Sequence, residues 1–145
     1  MSRLLSRRTL ALGAVALALA ACSLDKPQFR SIDITGADYA RDFRLADHNG
    51  QMRSMADFRG KVVVMFFGFA QCPDVCPTAM AELAEVKRLL GSQGGQLQGL
   101  FVTLDPERDT PEVLKAYMGN FDPGFLALRP APEELADLAK HFKIF

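Results

Sequence analysis

Two prolines, Pro73 and Pro77, bracket a Cys-x-x-x-Cys pair, Cys72 and Cys76, directly after the apolar run Val62-Val63-Val64-Met65-Phe66-Phe67-Gly68-Phe69. A proline deep in a helix removes an N–H and crowds the preceding turn, so two of them four apart leave few solutions. One works without strain. If Asp74 caps a helix, Pro73 lies outside it, and Val75, Cys76 and Pro77 fill a first turn whose N–H groups have no intrahelical partner. The continuous apolarity before the pair suits a central strand buried on both faces. Cys76 then sits at the positive helix end, where a thiolate is favoured, and Cys72 comes from the loop just before. Open α/β folds place their sites at this edge of the sheet. Three intervening residues let both sulfurs turn toward one point, close enough to hold a soft metal ion or to oxidise together.

The rest of the chain repeats that alternation. Phe43-Arg44-Leu45 alternates as a short strand, and Asp47-His48-Asn49-Gly50 is a turn. Met80, Leu83, Val86 and Leu90 fall at helical spacing, and Gly91 is placed to end that helix. Leu100 to Leu104 reads as a second buried strand. Thr110-Pro111-Glu112 opens a helix with a cap, a proline at its first position and an early acid. Leu114, Tyr117, Met118 and Phe121 give that helix an apolar face. Phe125 to Leu128 follows as a short strand and Pro132 to Phe142 as a helix with Leu135, Leu138 and Phe142 inward. The order βαβαβα defines an α/β fold, with a mostly parallel central sheet and flanking helices.

The N-terminus carries a different signal. Arg3, Arg7 and Arg8 precede an apolar run from Leu10 to Ala21 that is too short to span a bilayer and suits a signal-peptide core. It ends in Leu19-Ala20-Ala21-Cys22, which resembles the bacterial lipoprotein box, so Cys22 is the expected lipidation site. Ser6-Arg7-Arg8-Thr9-Leu10 also resembles a twin-arginine signal. The expected organisation is a lipoprotein-type signal peptide over 1–21, a flexible tether over 22–42 and one domain over 43–145. That places the protein outside the cytoplasm, lipid-anchored on the periplasmic side of a bacterial membrane, where disulfides persist. The leader removes three arginines and no acid from 17 basic and 17 acidic residues, which leaves the remainder slightly acidic. Nucleic acid is not an expected partner.

Gly68-Phe69-Ala70-Gln71-Cys72-Pro73-Asp74-Val75-Cys76-Pro77-Thr78 resembles the signature of the Sco/SenC proteins. A second block, Thr103-Leu104-Asp105-Pro106-Glu107-Arg108-Asp109-Thr110-Pro111, is similar to that family's other signature. The resemblance implies a thioredoxin-like fold and copper, as Cu(I) or Cu(II), held by Cys72, Cys76 and one distant histidine. It also implies a role as a metallochaperone for the binuclear copper site of cytochrome c oxidase, with the oxidase subunit that carries the site as partner. The chemistry agrees, since thiolates select Cu(I) and an added imidazole accommodates Cu(II). The family's histidine lies in a later hairpin, beyond Phe145. On this reading the domain is incomplete, its C-terminal hairpin and last helix missing, and the third ligand is absent. His141 and His48 are read as ordinary solvated residues. The alternative function is a thiol–disulfide oxidoreductase that keeps the oxidase copper-site cysteines reduced, with the more exposed sulfur attacking and the other resolving. Asp105, Glu107, Arg108 and Asp109 are read as a solvated loop, and Met65, Met80 and Met118 as core residues.

Overall fold

The computed structural model describes residues 29–144. The expected leader over 1–21, the expected lipidation site Cys22 and the first part of the expected tether lie outside them. The chain divides into two compact units at Gly36. In the described part of the first, Asp33 accepts hydrogen bonds from the N–H and hydroxyl of Thr35. The second, from Ala37 onward, holds all the regular structure among the described residues.

Five strands form one sheet: β1 Leu45–Asp47, β2 Met52–Arg53, β3 Val62–Gly68, β4 Leu97–Thr103 and β5 Leu126–Arg129. Their order across the sheet is β2-β1-β5-β4-β3. β3, β4 and β5 run parallel, whereas β1 is antiparallel to both of its neighbours. The helices α1 Val75–Leu89, α2 Pro111–Met118 and α3 Leu135–Phe142 complete a thioredoxin-like α/β fold. Short 3₁₀ turns at Met55–Phe58, Gly91–Gln96 and Pro132–Glu134 fill the connections.

The strand period of two sorts the side chains into two cores. On one face Phe101 and Ala127 pack with Met80 and Cys76 of α1 and Leu114 and Met118 of α2. On the other, Leu100, Val102 and Leu128 pack with Phe43, Leu45 and Phe58, and α3 adds Leu138 and Phe142. The Phe67 and Phe142 rings lie 5.3 Å apart. Met80 and Met118 are buried and Met65 packs against the second core, as expected. Gly99 is where a ring comes against the backbone: a Cβ there would stand 2.7 Å from Phe125.

Two expectations are corrected. The apolar run Val62–Phe69 implies a central strand, yet among the described residues β3 pairs only with β4 and lies at the sheet's edge. The strand buried on both faces is β4, every residue of which is buried. Apolarity reports covered faces, while edge position depends on which strand lies alongside. Residues 37–42, assigned to the tether, are tied to the domain. Asp42 accepts from the Met55 N–H at 3.1 Å, and the Ala40 N–H donates to the His141 carbonyl at 3.2 Å.

Candidate functional site

Asp74 occupies the cap position of α1, and Val75, Cys76 and Pro77 form its first turn, as the proline argument requires. Asp74 caps without a side-chain hydrogen bond to the helix. Long side chains in a helix lean back toward its N-terminus, and here Cys76 leans into the core. It is 5% exposed, and its sulfur would stand 2.8 Å from a Cβ at Gly68. Glycine at the end of β3 is therefore what makes room for this sulfur. Before the helix the chain turns tightly, the Cys72 N–H donating to the Phe69 carbonyl at 3.1 Å. That turn brings Cys72, half-buried, over the helix start. The two cysteines are free thiols facing one another.

Their environments differ in sign. The Cys72 thiol is held below its usual range by a hydrogen bond with the Cys76 side chain, and then by the backbone N–H groups of Cys76, Asp74 and Val75. The Cys76 thiol is pushed up, first by burial, then by its hydrogen bond with Cys72 and by the charges of Cys72 and Asp109; the Phe69 backbone opposes this. The thiolate expected at Cys76 is thus favoured at Cys72 instead. Cys76 lies in the first turn but is aimed at the sheet, and the free N–H groups of that turn point at the residue in front of it.

A second loop braces the first. Asp109, 1% exposed, accepts from the Ala70 N–H at 3.0 Å and from the Thr103 hydroxyl at 2.6 Å. Ala70 lies two residues before Cys72, so this carboxylate anchors the cysteine turn to the end of β4. Arg129 of β5 in turn donates to the Pro106 carbonyl at 2.7 and 3.0 Å and to the Asp109 carbonyl at 3.2 Å. The solvated reading of this block holds for Glu107 and Arg108, which are exposed, Arg108 pairing with Asp105. It fails for Asp109. Nothing in the residue types of Asp105 to Asp109 separates the buried acid from its neighbours; only their distances to Thr103 and Ala70 do.

The histidines sit elsewhere. His48 is half-buried beyond β1, and its Nδ1 accepts from the Ala127 N–H at 3.0 Å, so it is a structural group of the turn and not a solvated side chain. His141 is exposed on α3. A cavity of about 430 Å³ lies between His48 and the first turn of α2 and includes neither cysteine. Among the described residues no group of three or more His, Cys, Asp or Glu side chains is placed to hold a metal ion. The site consists of two sulfurs, a donor pair suited to a soft ion.

Fold and site together define a thioredoxin-like protein with a cysteine pair at the mouth of its first helix. The sequence pattern of the SCO1/SenC family matches residues 33–145, and the chain belongs to that family. It is 41% identical over 106 residues to the mitochondrial SCO2 homolog of Bos taurus, covering 72% of this chain and 40% of that protein. The copper-bound structure of Bradyrhizobium japonicum ScoI superimposes with a TM-score of 0.66 at 38% identity, over 70% of this chain and 65% of that one. Copper-bound yeast Sco1 matches with a TM-score of 0.66 at 36% identity, over 72% and 58%. The chain therefore spans less than two thirds of the length of each of these relatives.

Proposed function

We propose that this chain is a copper-binding protein of cytochrome c oxidase assembly, holding the ion through Cys72 and Cys76 and passing it to the oxidase subunit with the binuclear copper site. The observation that carries this reading is the pairing of two free thiols over one helix start, one half-buried and favoured as thiolate, the other buried beneath it. Such a pair supplies soft ligands, and binding would release the Cys76 proton. Membership of a family whose solved members include copper-bound proteins supports the same reading. A tether through lipidated Cys22 on the periplasmic side belongs to the proposal. The apolar leader and the Ala20-Ala21-Cys22 sequence support it.

The test is anaerobic titration of the reduced full chain with Cu(I) against a competing chelator. Binding at one ion per chain is expected. Cys72→Ser and Cys76→Ser should each weaken it by more than about a hundredfold, beyond the loss that follows removal of an outer partner of a ligand. Affinity indifferent to both changes contradicts the proposal. Fatty-acid labelling of the expressed chain tests the anchor: label retained in Cys22→Ala counts against it.

The same inequality of the sulfurs favours a second use. A half-buried Cys72 favoured as thiolate, with Cys76 behind it, would suit an attacking and a resolving cysteine, so disulfide reduction in the oxidase partner is the alternative activity.

A further inference from the structure

Two residues hold a costly backbone conformation, and both belong to one joint. Ala40 and Lys143, each with φ of 54°, are the non-glycine residues with left-handed backbone among the described ones. A side chain crowds the neighbouring carbonyl there, so the conformation persists only where the surroundings hold it. The two meet where the start of the domain crosses the end of α3.

Helix α3 needs such support. A helix of eight residues is marginal by itself in water, and none of its side chains is fully buried. It meets the sheet through Leu138 and Phe142, which pack against the second core. Its last carbonyls have no intrahelical partner. The Ile144 N–H donates to the Ala139 carbonyl at 2.8 Å and the Lys143 N–H to the Lys140 carbonyl at 3.2 Å, around the left-handed turn at Lys143. The His141 carbonyl accepts instead from the Ala40 N–H, at 3.2 Å. Glycine is the usual residue at such a helix end. Lysine stands there in its place, with its ammonium 3.9 Å from the centroid of the Tyr39 ring, where the aromatic face attracts it. On the domain side, Asp42 pins the same segment by accepting from the N–H groups of Phe43 at 2.8 Å and Met55 at 3.1 Å.

We infer that Tyr39 to Asp42 form a clasp on the end of α3, which while closed keeps Phe142 on Phe67 and so steadies the end of β3 that carries the cysteine turn. The second half follows from packing. The Phe142 and Phe67 rings are 5.3 Å apart, and Gly68, next along the strand, leaves the space that the Cys76 sulfur occupies. Opening the clasp lets α3 fray and uncovers Phe67, which loosens the strand over the buried sulfur. The segment that leads into the domain is thereby coupled to the cysteine site without touching it.

The test uses the reduced full chain without metal, so its outcome is independent of copper binding. Peptide-resolved hydrogen exchange over Leu138 to Ile144 should run about threefold faster in Tyr39→Ala, the scale of an exposed cation–aromatic contact, and at the unsubstituted rate in Tyr39→Phe, which keeps the ring. Lys143→Met should match Tyr39→Ala, and the double variant should exchange no faster than either, as for two halves of one contact. Alkylation of Cys76 should quicken about threefold in Tyr39→Ala. Unchanged exchange in Tyr39→Ala and Lys143→Met, or effects that multiply in the double variant, overturn the clasp. Faster exchange with an unchanged Cys76 rate overturns its coupling to the site. If Tyr39→Ala does not fold, Lys143→Met decides both points.

Discussion

Two loops leave the same end of the sheet, one after β3 and one after β4, and they are built on opposite plans. The loop from Phe69 to Asp74 carries both the turn and Cys72, and apart from bonds to the helix start by the Cys72 thiol, the Phe69 backbone and the Asp74 carbonyl it is held by the Ala70 N–H donating to Asp109. The loop from Leu104 to Thr110 carries no reactive group and is tied from several sides. The Leu104 N–H donates to the Gly68 carbonyl at 2.7 Å, Asp105 bonds Thr103, and Arg129 holds two carbonyls. The contrast teaches that the cysteine turn borrows its rigidity. A ligand loop with open thiols has few groups of its own to spend on structure, so the adjacent loop supplies the carboxylate that fixes it.

The largest effect expected from breaking this arrangement is at Asp109. Asp109→Ala leaves the Ala70 N–H and the Thr103 hydroxyl without their acceptor and should cost about 2–4 kcal/mol of stability by urea denaturation. Asp109→Asn keeps an acceptor oxygen and should recover at least half of that loss. Equal losses in the two variants would mean that the brace is not a hydrogen-bond device.

Gly68→Ala attacks the comparison from the other side, by crowding the sulfur without touching the brace. The added Cβ meets the Cys76 sulfur at 2.8 Å and Phe66 at 3.0 Å, so about 1–3 kcal/mol is expected. Cu(I) affinity should fall with it. Full affinity in this variant would show that Cys76 does not need its place in the core.

The smallest effect lies at the far turn, which has no part in the cysteine site. Burial, with Lys115 nearby, lowers His48 below its ordinary 6.5, outweighing the charge of Asp47. A base with a depressed folded pKa binds fewer protons folded than unfolded, so its contribution is complete above about 6.5 and fades as pH falls below it. Stability should therefore decline modestly from pH 7 to pH 5, and His48→Gln should flatten that slope while leaving Cu(I) affinity unchanged. Denaturation curves at the two pH values, with and without the substitution, check both parts.

Much of this contrast was legible in the residues. The prolines around Cys72 and Cys76 locate the helix start, and Thr110-Pro111 locates the next one, its hydroxyl accepting from Val113 at 3.3 Å. Leu100 to Leu104 announces the buried strand by composition, although the strand itself runs Leu97–Thr103. Three features lay beyond that reach because they depend on neighbours distant in sequence. The edge position of β3 is decided by strand order, not by its apolar side chains. Which cysteine receives the helix N–H groups depends on the turn at Phe69. Asp109 looks like a loop acid until Thr103 and Ala70 are placed beside it.

The central claim is that the two sulfurs are unequal when free and act together on a metal ion. Peptide-resolved alkylation of the reduced full chain tests both halves at once, since Cys22, Cys72 and Cys76 fall at separate positions and are scored separately. The account predicts that Cys72 is modified about tenfold or more faster than Cys76, from its exposure and its thiolate character. One equivalent of Cu(I) should then protect both to the same extent. Faster modification of Cys76, or protection of Cys72 alone, would contradict it.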